Sequence, residues 1–206
     1  ELLTQKAWLI SARGDHRQAA AVYRRAARLE GAPAHRVGEA FKQLGELQQR
    51  RLKQSREALK TYARIVDVPG IDDNRKADAL RRAADVHRHL RAADKALAAL
   101  RAVLALDRVH VNHRYEALKR MAEIQGHDLK RPQAAEKTLR SILTLPRLSA
   151  RRMADARWRL ARLLMAQERE DEARAVVQAI LKTRDLHPNL RRDAEKALAR
   201  LKTPEE

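Results

Sequence analysis

The sequence predicts an all-α solenoid of about five stacked helical hairpins, closed by a C-terminal capping helix. Three observations predict it: small residues that recur at a regular spacing, two helix-period apolar patterns in each repeat, and a shortage of helix breakers. The chain has 38 alanines against 6 glycines and 6 prolines. This composition favours close-packed helices joined by short loops.

The repeat is visible as columns of small residues, whose members stand 38 or 39 positions apart. One column lies midway along the first helix of each predicted hairpin, at Ala7, Gly45, Ala84, Ala122, Ala161 and Ala199. A second column lies early in each following helix, at Ala19, Ala58, Ala96, Ala135 and Ala173. Apolar residues follow this second column after four and seven positions, as Tyr62 and Ile65 follow Ala58. Because two helices approach closely only where side chains are short, these columns indicate stacked hairpins.

A longer period is superimposed on the first, because long and short repeats, which differ by one residue, alternate. Identical residues 77 positions apart are Thr61 and Thr138, Pro69 and Pro146, Asp78 and Asp155, His110 and His187, and Asn112 and Asn189. We infer duplication of a two-hairpin unit, with the additional residue of the second and fourth repeats in the turn inside the hairpin. An alternating hairpin geometry is therefore expected.

The boundaries follow from the columns. We place one domain over residues 1–202, with repeats at 1–35, 36–74, 75–113, 114–151 and 152–190, a capping helix at 191–202 and a polar tail at 203–206. The capping helix carries Ala194, Ala197, Leu198 and Leu201 on one face and charged residues on the others. Glu1 opens directly into an apolar helical pattern without an N-cap residue, so we expect the N-terminus to be cut from a longer chain.

The charge of the chain is strongly positive, with 45 Lys and Arg against 27 Asp and Glu, or +18. One interpretation is attraction to nucleic acid, anionic lipid or an acidic protein, and the other is arginine on solvated helix faces. Cysteine is absent, which fits a reducing cytosol and is compatible with export or the cell envelope. No apolar run of about 18 residues predicts a transmembrane segment.

Catalytic and metal-binding patterns are not found in the sequence. His87 and His89 lie two positions apart and would point to different helix faces. His110 and His113 lie beside a predicted loop without the carboxylates or thiols that complete a metal shell. A glycine-rich phosphate loop and a serine nucleophile elbow are also missing. We therefore expect no enzyme activity, no cofactor and no metal.

The chain resembles the tetratricopeptide-repeat family. The signature residues are Ala7, Gly14-Asp15, Ala19, Tyr23 and Ala26, and they recur as Leu44-Gly45, Ala58, Tyr62 and Pro69. The resemblance covers essentially the whole chain, and bacterial relatives with long repeats, such as those of the cell envelope, look similar. The usual repeat has about 34 residues, so four or five are added here, mostly between hairpins. The resemblance implies a right-handed solenoid and an interaction scaffold.

By this resemblance, the first helix of each hairpin lines a concave face that binds a partner. The central column of that face is Lys42, Arg81, Lys119, Trp158 and Lys196. The column four residues later is Glu46, Asp85, Glu123, Arg162 and Arg200, and the column three residues earlier is Glu39, Asp78, Glu116, Asp155 and Asp193. Each base of the middle repeats then lies between acids at i−3 and i+4. These charges form either weak intrahelical salt bridges or a ladder that selects a mixed-charge peptide.

Other features of the predicted face refine its partner. Arg50, Arg88, His89 and His127 lie near the turn ends of the first helices with few acids beside them. The family's carboxylate clamp needs asparagine where this chain has Glu46, Asp85 and Glu123, so a C-terminal carboxylate is disfavoured. Trp158 either anchors a partner side chain or packs against the adjacent hairpin.

A basic patch is predicted on one face of a second helix, which should be convex. Its members, at i, i+3, i+7 and i+11, are Lys53, Arg56, Lys60 and Arg64. The patch either docks an acidic surface, a phosphate backbone or a headgroup layer, or is simply solvated.

The sequence thus favours a protein–protein interaction scaffold that binds a peptide or helix on its concave face, within a larger protein or assembly. The alternative is a basic solenoid that binds nucleic acid or another polyanion. A missing aromatic platform counts against single-strand recognition, whereas a grip on the backbone needs no aromatic residues. A third interpretation is a structural segment of a larger enzyme or assembly. Neither the identity of the partner nor the oligomeric state is indicated.

Overall fold

The computed structural model describes residues 2–201, whose regular structure is helical throughout. The helices are α1 (Leu2–Ala12), α2 (His16–Ala26), α3 (Ala34–Arg50), α4 (Ser55–Val66), α5 (Asp73–His89), α6 (Ala93–Leu104), α7 (Val111–Glu123), α8 (Pro132–Leu143), α9 (Ala150–Met165), α10 (Glu170–Leu181) and α11 (Pro188–Arg200). A π-helical turn, Ile124–Asp128, continues α7. Odd-numbered helices are the first helices of the hairpins and even-numbered helices are the second.

The chain divides into two compact units, Glu1–His113 and Arg114–Glu206, called unit 1 and unit 2 below. Each unit is a stack of helical hairpins and is described by itself. The border coincides with the predicted border between the third and fourth repeats. A single domain over 1–202 remains a prediction, and the predicted polar tail at 203–206 lies outside the described residues.

The helix starts follow from local sequence. Asp15 and Asp72 act as N-caps, and their carboxylates accept hydrogen bonds from the backbone amides of Gln18 at 2.9 Å and Arg75 at 3.0 Å. Pro132 and Pro188 occupy the first turns of α8 and α11, where a missing amide hydrogen is harmless. The last helix therefore begins three residues before the predicted start of the cap.

The core is built on the predicted columns. The small residues of the second helices are at most 2% exposed: Ala19, Ala58, Ala96, Ala135 and Ala173. The bulkier residues that follow them are also buried: Tyr23, Tyr62, Leu100, Leu139 and Val177. The prediction is wrong for Ala199, which is exposed. Among the described residues no helix follows α11, so this last position has no neighbour to approach.

The turns inside the hairpins alternate, as expected from the longer period. In the third hairpin, the amide of Ala92 donates to the carbonyl of His87, five residues back, at 2.9 Å. In the second and fourth hairpins the corresponding bonds reach six residues back, from Gln54 to Gln48 and from Arg131 to Gln125, both at 2.7 Å. The additional residue is therefore accommodated by widening the last turn of the first helix.

The same two hairpins share a buried side-chain hydrogen bond. The hydroxyl of Thr61 donates to the Gln48 side-chain oxygen at 2.7 Å, and Thr138 donates to Gln125 at the same distance. All four residues are buried. The bond joins the widened end of each first helix to the helix that follows it, so the repeated Thr61 and Thr138 have a structural role.

We expect Thr138→Val to destabilise unit 2 by about 1–3 kcal/mol, because valine keeps the shape of threonine and leaves the buried Gln125 oxygen without its donor. The control is Thr144→Val, at an exposed position, with an expected change within about 0.5 kcal/mol. Native-state hydrogen exchange of the α8 amides measures both variants. Equal protection in the two variants would show that the bond does not contribute.

Candidate partner-binding face

The first-helix face of unit 1 carries the charged columns predicted from the sequence. Lys42 and Glu39 are paired on α3, with 2.7 Å between Nζ and Oε2. Arg81 pairs with Asp78 on α5. In unit 2, Lys119 pairs with Glu116 at 2.9 Å. The bases at these positions thus contact the acids three residues earlier, as the spacing predicts.

The predicted intrahelical role of the acid four residues later is wrong for Glu46. It forms an ion pair with Arg82 of the neighbouring first helix at 2.6 Å, and Arg82 also contacts Asp78 at 2.8 Å. Unit 2 repeats this arrangement, which links Arg159 to Glu123 and to Asp155, both at 2.8 Å. Adjacent first helices therefore lie close enough for a long arginine to reach across to the acid of the preceding first helix.

The two arginines were not selected from the sequence, although Arg82 and Arg159 occupy equivalent positions of the duplicated unit. Burial raises the pKa of Asp78, but hydrogen bonding to Arg82 and its charge outweigh burial and hold the pKa below its ordinary value. In unit 2, burial likewise raises the pKa of Asp155, but the Tyr115 hydroxyl and Arg159 lower it by more. The pKa of Asp155 is therefore also below its ordinary value. Both carboxylates are therefore ionised at neutral pH.

A pH dependence follows from these lowered values. The stability that Asp155 contributes is present above its ordinary pKa of 3.8 and is lost as the pH falls through the lowered value. We expect Asp155→Asn to be less stable than the natural chain at neutral pH and the difference to shrink on acidification below about pH 4. Urea denaturation across this pH range measures it. For the control Glu195→Gln, at an exposed position, we expect little difference at any pH; an Asp155→Asn deficit that does not shrink would contradict the assignment.

Tyr115 is a second feature that the sequence did not predict. It lies on α7 in unit 2, only 3% exposed, and its hydroxyl donates to Asp155 Oδ2 at 2.5 Å. Lys119 Nζ and the Arg152 guanidinium lie 5.2 and 5.5 Å from the ring centroid, which is the geometry of cation–π contacts. Burial first, and then Asp155, raise the pKa of Tyr115 far above its ordinary value, so its hydroxyl stays protonated.

Unit 1 has an open cavity on its first-helix face. Its volume is about 510 Å³, within the roughly 300–1,000 Å³ typical of ligand pockets. Its polar lining includes Lys42, Arg75 and Asp78, and its apolar wall includes Ile65 and Ala79. With Glu39 and Asp72, which also line it, three carboxylates, two cations and an apolar wall thus meet in one place.

A second cavity of about 450 Å³ lies beside the first, and Glu39 lines both. Tyr23 and Trp8 also line it, and Trp8 is 62% exposed. Trp8 was not selected from the sequence, although it stands one repeat before Glu46 in the same column of the first helices. The first-helix face of unit 1 therefore combines charge with an exposed aromatic residue.

The remaining residues predicted on this face are placed as follows. Trp158 is half-buried on α9, Asp85 and Arg88 are half-buried on α5, and Asp193 and Lys196 are exposed on α11. Exposed positions at or near helix ends are Arg50, His89, His127, Arg162 and Arg200. One acid lies beside His127, whose Nδ1 is 3.1 Å from Asp128 Oδ1.

The predicted basic patch is smaller than expected. Lys53 does not belong to the helical stripe, because α4 begins at Ser55 and Lys53 has a left-handed backbone with φ of 57° in the preceding turn. Arg56, Lys60 and Arg64 are exposed on α4 and share one face at four-residue spacing. Lys60 contacts Glu57 at 3.0 Å. These three basic residues, Arg56, Lys60 and Arg64, are called the α4 stripe below.

The corresponding second helices of unit 2 carry an ion-pair network instead. Arg169 contacts Glu136 at 2.5 Å and Glu172 at 2.7 Å. Arg140 contacts the same two acids at 2.8 and 3.1 Å. Charges in this part of unit 2 are therefore balanced locally, and the α4 stripe is a feature of unit 1.

Within residues 2–201, no group of three or more His, Asp or Glu side chains is arranged to hold a metal ion. None of the helices in the same range has both the length and the apolar character needed to cross a membrane.

Comparisons with solved structures identify the fold. No family model matches the chain, and no curated protein matches it either. Among solved structures, a tetratricopeptide repeat protein from Parabacteroides merdae superposes with a TM-score of 0.62 at 23% identity, over 97% of this chain and 73% of that one. This chain has a tetratricopeptide-like fold.

Two other structures support the same conclusion. BtubC from P. vanneervenii superposes with a TM-score of 0.63 at 18% identity, over 89% of this chain and 80% of that one. A segment of MamA from Desulfovibrio magneticus gives 0.56 at 14% identity, over 88% and 93%. The predicted all-α solenoid class and the resemblance to the tetratricopeptide-like fold are confirmed. At these identities the likeness concerns the fold.

Proposed function

We propose that the chain is a non-catalytic scaffold that binds a peptide or helix of another protein on its first-helix face, as part of a larger protein or assembly. The observation that carries the proposal is the pair of adjacent cavities in unit 1, which share Glu39 and are lined by Trp8, Lys42 and Asp78. Concave sites that combine aromatic surface with a few placed charges are typical binding sites.

The charges of this face favour a mixed-charge partner. Most of its acids and bases are paired with each other, so the face presents no large field of one sign. A polyanion would meet acids such as Glu39, Asp72 and Asp78 around the larger cavity. A peptide with both charges and at least one large side chain fits these surroundings better.

The test compares two triple variants with the same change in charge. Lys42→Ala/Arg81→Ala/Lys119→Ala removes three cations from first helices, and Arg56→Ala/Lys60→Ala/Arg64→Ala removes three from the α4 stripe. Peptides are selected on the natural chain from a random-sequence display library, and their affinity is then measured for both variants. We expect at least a tenfold loss for the first variant and little change for the second. The opposite pattern would overturn the proposed face.

The α4 stripe supports a second candidate function, which is binding to a polyanion through the exposed side of a second helix. Random duplex DNA, titrated over a salt series, tests it. A contact through the three stripe cations would give a steep salt slope that flattens in the α4 variant. No binding at low salt would remove this candidate and leave the peptide scaffold untouched.

A further inference from the structure

The open cavity of unit 1 corresponds, residue by residue, to a filled site in unit 2. Most of its lining residues have identical partners 77 positions later: Glu39 and Glu116, Lys42 and Lys119, Ile65 and Ile142, Arg75 and Arg152, Asp78 and Asp155, and Ala79 and Ala156. The other four lining residues differ from their counterparts: Gly38 from Tyr115, Asp72 from Ser149, Asn74 from Arg151 and His113 from Leu190. Unit 1 therefore has the surroundings of a buried tyrosine without the tyrosine.

The site in unit 2 shows what these surroundings recognise. The ring of Tyr115 lies beside Lys119 and Arg152, and its hydroxyl donates to Asp155, which also binds Arg159. In unit 1, Asp78 holds Arg82 with the same Oδ2 atom and at the same 2.8 Å. The Oδ2 acceptor of unit 1 is therefore held by the equivalent arginine. The Oδ1 atom of Asp78 is contacted in addition by Arg81, whose counterpart in unit 2 is Trp158.

The chain does not fill the cavity from position 38. A Cβ atom on Gly38 would lie 2.6 Å from Ile71 Cδ1, which is closer than carbon atoms approach. The counterpart of Ile71 in unit 2 is Leu148. Because Gly38 has a helical backbone and not a left-handed one, its absent side chain matters here for the space that Ile71 occupies and not for conformation.

We propose that this cavity binds the side chain of a tyrosine supplied by a partner peptide. The ring packs on Ile65 and Ala79 between Lys42 and Arg75, and the hydroxyl donates to Asp78. The inference rests on the proposed function, because it assumes that a peptide lies on the first-helix face. It adds which side chain anchors that peptide.

The chemistry of the lining selects tyrosine over similar groups. Phenylalanine would cover the Asp78 carboxylate, which already accepts from Arg81 and Arg82, without adding the hydroxyl donor of tyrosine, so we expect it to bind at least about tenfold more weakly. A phosphorylated tyrosine or a terminal carboxylate would be repelled by Glu39, Asp72 and Asp78. His113 also lines the cavity, and burial followed by the charge of Arg81 lowers its pKa, so it adds no cation at neutral pH.

Binding requires one rearrangement. Arg75 contacts Asp72 in unit 1, whereas the counterpart of Asp72 in unit 2 is Ser149, which has no charge. Arg75 must turn towards the ring to reproduce the position of Arg152. The Arg75–Asp72 pair is exposed, and such pairs contribute only about 0–1 kcal/mol, so the opposing effect is small.

The first experiment uses small probes and needs no partner. N-acetyl-tyrosine amide and N-acetyl-phenylalanine amide are titrated into the isotope-labelled chain and followed by NMR. We expect shifts at Gly38, Ile65 and Ala79, with at least about tenfold tighter binding of the tyrosine amide. Equal affinities, or shifts elsewhere only, would overturn the proposal.

Two variants sharpen this experiment. Gly38→Tyr/Ile71→Leu recreates the unit 2 arrangement in unit 1 and should abolish the probe shifts there, because the chain then fills its own cavity. Tyr115→Gly opens the corresponding site in unit 2 and should create new probe shifts at Ile142 and Ala156. The second result is a gain of binding and does not depend on the folding of the first variant. Persistent shifts in the filled variant, or none in the opened one, would contradict the assignment.

The peptide selection separates this inference from the proposed function. We expect tyrosine enrichment among peptides selected on the natural chain and its loss on Gly38→Tyr/Ile71→Leu. If peptides map to the first-helix face without such enrichment, the tyrosine site is wrong and the scaffold stands. If the tyrosine amide binds but no peptide can be selected, the site stands and the scaffold is wrong.

Discussion

Tyr115→Ala is expected to lower the free energy of unfolding of unit 2 by about 3–5 kcal/mol, the range for removing a buried aromatic side chain. Tyr115 is buried, and its ring joins α7 to α9 through Asp155 and Arg152. Removing the ring leaves a cavity and deprives Asp155 of a hydrogen-bond donor at the same time. Truncating an exposed side chain of this unit would not combine these losses.

Tyr115→Phe separates the two contributions. It keeps the ring and removes only the hydroxyl, so we expect a loss of about 1.5–3 kcal/mol for a hydrogen bond to a charged group. Because the chain has two compact units, a single transition cannot be assumed, and hydrogen exchange of the α7 and α9 amides reports on unit 2 directly. If Tyr115→Ala and Tyr115→Phe were equally stable, the ring would not fill the space that we assign to it.

The fold was predictable because the repeat constrains it twice. A small residue must recur wherever two helices approach, and an apolar residue must follow at helical spacing. The buried pairs Ala58 with Tyr62 and Ala96 with Leu100 satisfy both conditions. Charged residues are less constrained, because the helix period does not show which neighbour a long side chain reaches. The ladder along one helix therefore failed at Glu46, which binds Arg82 of the next first helix.

Two other predictions, for Lys53 and Ala199, are wrong for local structural reasons. The spacing predicts Lys53 as part of a helical stripe because it continues through this position, but the turn inside the second hairpin has a left-handed residue here. A single sequence does not mark such a residue unless it is glycine, as at Gly14 in the first hairpin. The exposed Ala199 shows the opposite case, in which a column continues onto α11, after which no further helix follows among the described residues.

The candidate site depends on a difference within the duplication. Gly38 and Tyr115 occupy equivalent positions of the duplicated unit, and in the sequence alone the pair is an unremarkable substitution. The structure gives it meaning, because Asp78 and Asp155 accept from equivalent arginines, Arg82 and Arg159, while only Asp155 has a tyrosine beside it. Unit 2 uses these surroundings for its own stability. We propose that unit 1 leaves them open to a partner.

Gly45, also on α3, is a second glycine whose small size is required by a neighbouring side chain. Gly45→Leu is expected to destabilise unit 1 by about 3 kcal/mol or more, at the upper end of the effects of overpacking. A Cβ atom at Gly45 would lie 2.5 Å from Tyr62 Cε1 and 2.8 Å from Tyr62 Cζ. The ring is buried and cannot move aside as the end of a flexible chain would, so the first and second helices of this hairpin must separate.

The smaller change Gly45→Ala decides between packing and helix propensity. Alanine is the better helix former by about 1 kcal/mol, yet we expect a net loss of about 1–2 kcal/mol because the clash with Tyr62 is larger. Gly126→Ala is the matched control, since its Cβ would meet the Ala135 methyl at an acceptable 3.4 Å, and we expect no loss of stability there. Urea denaturation with hydrogen exchange of the α3 and α7 amides gives both values. If both substitutions changed the free energy of unfolding in the same direction, the packing of Gly45 against Tyr62 would not explain the result.

A double variant tests whether the Tyr62 ring is the reason that residue 45 is glycine. The third and fourth hairpins combine alanine and leucine at the corresponding positions, as Ala84 with Leu100 and Ala122 with Leu139. Gly45→Ala combined with Tyr62→Leu recreates that combination. Because the two side chains touch, their effects should not add, and the double variant should be more stable than the sum of the single variants predicts by about 1 kcal/mol or more. Additive effects would mean that Gly45 is small for a reason other than the Tyr62 ring.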